Sequence, residues 1–143
     1  MYITYPAVFY KNLHEEGYTV TFPDLQGCVT GGADEQEAFA MAEDALCAYL
    51  YEYFIDKKTF PKSESISDIS LKIDGDDKDY YTMEGSFKTL VGANMDEYVK
   101  RTNTKSVRKN VTIPSYLNEM AKSRGVNFSQ VLTDALKMEF DVD

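Results

Sequence analysis

Residues 105–113, Lys-Ser-Val-Arg-Lys-Asn-Val-Thr-Ile, alternate between apolar and polar side chains and are followed by two short amphipathic stretches. Val107, Val111 and Ile113 fall on one side and Arg108, Asn110 and Thr112 on the other, the period-2 pattern of a half-buried strand. Lys109 falls on the apolar side, where its stem can lie along apolar surface while the ammonium reaches the edge. Pro114 halts the strand and suits the first turn of a helix. The first helix is expected over Ser115–Ser123, with Leu117, Met120 and Ala121 inward and Gly125 as its C-terminal stop. Asn127 then caps a second helix, with Gln130 as its capping-box partner and an apolar stripe of Phe128, Val131, Leu132, Ala135, Leu136 and Phe140.

One strand and two short helices cannot bury their own apolar faces, since even a two-stranded hairpin is marginal in water. The economical solution pairs the strands of two chains antiparallel about a two-fold axis, with four helices on the apolar side. The expected dimer core is Val107, Val111, Ile113, Leu117, Val131, Leu132 and Leu136. A strand completing a sheet elsewhere in the chain is the competing arrangement. It leaves unexplained why three hydrogen-bonding side chains share the other strand face. A two-stranded ribbon fits the major groove of DNA, where Arg reads guanine and Asn reads adenine. Arg108, Asn110 and Thr112 are therefore the candidate base readers. Lys105 and the start of the second helix (Asn127, Phe128, Ser129) are candidate phosphate contacts. The whole is a ribbon-helix-helix pattern.

Charge supports this division. Residues 1–104 carry 9 basic and 19 acidic residues, a balance of −10, whereas residues 105–133 carry +4 and residues 134–143 carry −3. Such asymmetry within a chain of net charge −9 points to two partners, one anionic and one cationic.

Ahead of the C-terminal module the pattern is α+β. Tyr2–Tyr10 reads as a strand in which Pro6 implies an edge position or a bulge. Tyr18–Phe22 and Cys28–Thr30 read as further strands of an antiparallel sheet, and Gly31-Gly32 as a break. Asp34 and Glu37 form a capping-box pair opening a long helix from about Glu35 to Phe54, with Ala38, Ala42, Ala45, Leu46, Tyr49, Leu50 and Tyr53 toward the sheet. Ile66–Ile73 alternates like a strand, Phe87–Gly92 is a further strand, and Met95–Lys100 a short helix. The expected domains are residues 1–101 and 107–143, joined by a polar linker over 102–106.

Several function classes are disfavoured. The two cysteines, Cys28 and Cys47, and the one histidine, His14, give no metal-ligand spacing, so no metal or cofactor is expected. Asp74–Asp79 lacks the glycine position and closing glutamate of a calcium loop. No membrane span or signal peptide is evident, and a cytoplasmic protein is expected.

The segments V-R-K-N-V-T-I-P-S-Y-L-N-E-M-A and G-V-N-F-S-Q-V-L-T-D-A-L resemble the ribbon-helix-helix segment of HicB antitoxins. Y-P-A-V-F at Tyr5–Phe9, G-Y-T-V-T-F-P-D-L-Q-G-C-V-T at Gly17–Thr30 and Glu37-Ala38 resemble the N-terminal part of the same family. The resemblance implies a partial RNase H-like domain that binds and masks a HicA-type mRNA endonuclease toxin, without catalysis of its own. It also implies a homodimer whose C-terminal domain binds operator DNA and represses its own operon. A second self-association surface on the first domain would raise the assembly to a higher oligomer. Two other readings stand beside it. An RNase H-like fold could cut nucleic acid with two metal ions if Asp24, Asp34, Glu35 and Glu37 converged. Alternatively, the eleven tyrosines could line a pocket in a ligand-sensing repressor. No toxin-contacting residue is identifiable from the sequence.

Overall fold

The computed structural model describes residues Met1–Val142 and divides into two compact units, Met1–Asn103 and Thr104–Asp143. The first is α+β: strands β1 (Tyr2–Asn12), β2 (Tyr18–Thr21) and β3 (Val29–Gly32), helix α1 (Glu35–Ile55), strand β4 (Tyr81–Asn94) and helix α2 (Met95–Thr102). The sheet order is β3-β2-β1-β4, antiparallel throughout.

The alternation of β1 sends Tyr5, Ala7 and Phe9 to the face packed by Ala38, Ala42, Leu46, Cys47 and Leu50 of α1. Cys47 joins the stripe that the helical spacing predicts, whereas Ala45, Tyr49 and Tyr53 of that stripe pack at its margin, partly buried. Phe9 stacks on its cross-strand partner Phe87 with ring centroids 4.7 Å apart. Asp34 starts α1 by accepting from the Glu37 amide at 2.8 Å. Pro6 pairs with Leu90 of β4 but lies outside the Val8–Lys11 stretch that β2 reaches, so its missing donor faces a side with no ladder.

Gly31 and Gly32 are not a break but the end of β3. A Cβ on Gly32 would stand 2.3 Å from the Ala38 backbone nitrogen, so the glycine lets α1 start directly against the strand. Ile66–Ile73 is not a strand either. Only a turn of 3-10 helix, Ile66–Asp68, forms there. Ile69 is buried and Leu71 and Ile73 are half-buried, while Ser70 and Lys72 are exposed. Alternation here reports an extended strap with one side buried and no ladder partner. The strap covers the sheet face opposite α1, where Pro6 and Val8 are buried. Lys88 fixes it by donating to the carbonyls of Ile66 (3.0 Å) and Ile69 (2.8 Å).

β4 is much longer than the expected 87–92. Register jumps from Phe9↔Phe87 to Lys11↔Thr82, so Met83–Ser86 bulges out and hides the period-2 pattern. The Ser86 hydroxyl replaces ladder bonds there, accepting from the Lys11 amide (2.8 Å) and donating to the Thr82 carbonyl (2.7 Å).

In the second unit, α3 spans Ser115–Ser123 and α4 spans Phe128–Glu139. Gly125, at φ 63°, ends α3 in a Schellman arrangement: its amide donates to Lys122 O (3.3 Å) and that of Val126 to Ala121 O (3.0 Å). Residues 103–114 take neither helix nor strand. A ladder needs a partner, and the four sheet strands all lie within residues 2–94. Among the described residues no helix is long and apolar enough to cross a membrane.

Leu46 is fully buried between α1 and the sheet. Leu46→Ala is expected to destabilise the first unit by about 2–5 kcal/mol, read as a lower urea midpoint with unchanged slope.

Candidate functional site

In the second unit the expected base readers Arg108, Asn110 and Thr112 are all exposed, as is Lys105. Asn127 is occupied as a helix cap, accepting from the Gln130 amide at 3.0 Å. The expected reciprocal bond is not made: the Gln130 side chain donates instead to Asp134 Oδ1 at 2.9 Å, a neighbour one turn along the same face. The first-turn amides of Phe128 and Ser129 have no acceptor within a helix, which leaves them for an external anion.

The packing of this unit is its most informative property. None of its described residues is buried. The seven residues expected to form a dimer core range from 37% exposed at Leu132 to 79% at Val107. Phe128, Met120 and Phe140 are exposed too. Two regular helices, α3 closed by its Schellman turn and α4 capped by Asn127, thus present their apolar stripes to solvent, whereas the first unit closes a core of its own.

The carboxylates weighed for metal-dependent cleavage do not converge. Asp24 follows the C-terminal end of β2, while Asp34, Glu35 and Glu37 follow β3 at the other end of the sheet. Asp24 instead tethers the strap, accepting from the Glu64 amide at 2.9 Å. Among the described residues no group of three or more His, Cys, Asp or Glu is placed to hold a metal. Cys28 and Cys47 are buried free thiols. Burial, followed by the charge of Glu43, pushes Cys47 up to about 11, so at neutral pH it is a protonated, inert thiol.

Topology assembles a feature invisible in the linear sequence. Asn12 pairs with Tyr81 and Tyr18 with Gly32. The β1–β2 turn, the start of α1 and the loop leading into β4 therefore meet at one end of the sheet. The turn brings Glu15 and Glu16, and the helix start brings Asp34, Glu35 and Glu37. The loop and the β4 bulge bring Asp74, Asp76, Asp77, Asp79 and Glu84. Against these ten stand only Lys11 and Lys78. The Tyr18 hydroxyl donates to Glu35 Oε1 at 3.2 Å. Burial and then this bond raise its pKa, while burial and then the charge of Asp77 raise that of Tyr10. The tyrosines near this end line two open clefts, one on each face of the sheet: Lys11 and Tyr18 on the α1 side, Tyr80 and Tyr81 on the other.

The family profile described as "HicB_like antitoxin of bacterial toxin-antitoxin system" matches residues 5–135. Antitoxin HicB 2 of Photorhabdus laumondii subsp. laumondii is 42% identical over 57 residues, a stretch spanning 40% of this chain and 40% of that protein. A chain in a toxin-antitoxin complex from Streptococcus pneumoniae is 32% identical, with a TM-score of 0.64 over 97% of this chain and 99% of that one. The crystal structure of the Burkholderia pseudomallei antitoxin HicB is similar in fold, with 19% identity and a TM-score of 0.50 over 97% of each chain.

The Asp24 tether also makes a titration prediction. A side-chain hydrogen bond to Asp24, and then its charge, hold the Glu64 carboxyl above the usual carboxylate range. A raised acid favours its protonated form in the fold, so this side-chain contact is complete below the ordinary glutamate pKa. It is lost as pH rises through the raised value. Asp24→Asn is expected to return Glu64 to the ordinary range, measured from its carboxyl carbon shift against pH. An unchanged titration would contradict the side-chain contact between Glu64 and Asp24.

Proposed function

The chain belongs to the HicB-like antitoxin family of bacterial toxin-antitoxin systems, and on that premise we propose that it both neutralises a HicA-type mRNA endonuclease and represses its own operon. Residues 1–101, a partial RNase H-like domain, bind and mask the toxin. Residues 107–143 form a ribbon-helix-helix domain that dimerises and binds operator DNA, and 102–106 link the two.

The carrying observation is that the second unit has two regular helices and, among its described residues, none that is buried. A second copy supplies what is missing. The two 107–113 segments pair antiparallel, and Val107, Val111 and Ile113 face Leu117, Val131, Leu132 and Leu136 of both chains. Each large apolar side chain fully buried in this way gains about 1.5–3 kcal/mol, offset by the cost of association. The same pairing turns Arg108, Asn110 and Thr112 outward as a six-residue reading surface for the major groove. Lys105 and the α4 N-terminus, at Asn127, Phe128 and Ser129, hold the flanking phosphates.

The charge partition supports the other half of the function. An enzyme that cuts RNA is expected to be basic, and a domain of charge −10 attracts it and speeds encounter. Residues with no charge role, such as the two buried thiols, need no part in it.

A mobility-shift assay on the DNA upstream of the gene tests the DNA-binding half. Arg108→Ala and Asn110→Ala are each expected to cost about 1–3 kcal/mol of discrimination, while toxin co-purification is unchanged. Undiminished sequence-specific binding by the double variant would remove these residues from the reading face.

A further inference from the structure

Deepening the toxin-binding half of the function above, and resting on it, we infer that the acidic end of the sheet is the surface on which the basic protein partner docks, with a partner Lys or Arg side chain entering the tyrosine-lined cleft between the β1–β2 turn and the start of β4.

The cleft, of about 210 Å³, is lined by Asn12, His14, Glu15, Thr19, Tyr80 and Tyr81. Its aromatic wall is held in place: Tyr10 stacks on Tyr81 at 5.0 Å, and the Leu13 amide donates to the Tyr80 carbonyl at 2.8 Å. Tyr80 nevertheless stays 62% exposed and Leu13 45% exposed. Rigid aromatic and aliphatic groups standing in solvent with charged groups around them have the anatomy of an interface centre and rim. The rim has one sign, since ten of the nineteen acidic residues of the first unit gather at this end and only two of its nine Lys and Arg.

That combination selects the chemistry of the occupant. A cation over a tyrosine face gains about 0.5–2 kcal/mol, and carboxylates beside it add attraction that also accelerates encounter. The other face of the same end shows the chemistry within the chain, with Lys11 Nζ 4.9 Å from the Tyr18 ring centre. An acidic or nucleic-acid partner is repelled from this end. A purely apolar partner would leave the carboxylates desolvated and unpaired.

The test co-expresses the full chain with the product of the small reading frame adjacent to its gene and measures affinity by calorimetry. Three variants are compared with the wild type: Tyr80→Ala, the pair Glu15→Lys with Asp77→Lys, and the control pair Glu52→Lys with Asp56→Lys. The control makes the same charge change at the C-terminal end of α1. Tyr80→Ala is expected to weaken binding about 30-fold, the acidic-end pair more strongly still, and the control pair less than about 3-fold. Equal losses from both charge pairs would overturn the proposal, because net charge alone would then account for binding. Retained binding by Tyr80→Ala and the acidic-end pair would overturn it while leaving the antitoxin function intact. Retained binding with an altered oligomeric state would also overturn it, by making a second copy the occupant. A wild type that binds nothing would overturn the toxin-binding half as well. Hydrogen exchange on the wild-type complex reads the surface without any variant: protection of amides 13–19 and 76–82 is expected, and its absence contradicts the docking site.

Discussion

Two helices and an alternating segment, each amphipathic, share a unit in which no described residue is buried. Apolar burial is the main favourable term in folding, roughly 25 cal/mol for each Å² removed from water, and one copy of residues 104–142 cannot collect it. The caps and the Schellman turn at Gly125 shape the helices but do not supply an interior. In the proposed dimer, chain pairing supplies one. It also sets the polar face, because burying Val107, Val111 and Ile113 leaves Arg108, Asn110 and Thr112 pointing the other way. In the proposed function, dimerisation and DNA reading are therefore two consequences of a single alternation.

The first unit solves the same physical problem internally. α1, with Phe60 beside it, fills one face of the sheet, and the strap from Ile66 to Ile73 covers part of the other, held by Lys88 and, through the Glu64 amide just ahead of it, by Asp24. Because that core is complete within one chain, the surface of the unit is free to carry charge. More than half of its acidic residues gather at one end, where they surround exposed aromatic groups. The proposed roles are thus kept apart in the chain: an apolar face for a second copy, a basic and polar strand face for DNA, and an acidic end for a basic protein.

How much of this was legible in the sequence depended on the range of each signal. Period and capping are local, so β1, β2, α1, α3 and α4 could be read directly, down to Asp34 and Asn127 as caps. Tertiary context defeated the same reasoning elsewhere. Ile66–Ile73 alternates because one side of an extended strap is buried, which periodicity cannot distinguish from a paired strand. The Met83–Ser86 bulge concealed the first half of β4. Gly31 and Gly32 looked like a break, whereas close approach of β2 to Gly31 and of α1 to Gly32 requires both within β3. The acidic end was out of reach altogether, since its carboxylates come from three segments that meet only when β1 pairs with both β2 and β4. The candidate DNA face, by contrast, could be proposed from sequence alone, because all its expected readers lie within five residues.

The central claim is that residues 104–142 obtain their interior from a second copy of the chain. Light scattering coupled to size-exclusion chromatography tests it most directly, on the full chain and on a chain ending at Asn103, where the first unit keeps its whole core. A dimer, or an assembly of dimers, that becomes smaller on truncation is the predicted result. A monomeric full chain, or a truncated chain as large in subunit number as the full one, would contradict it.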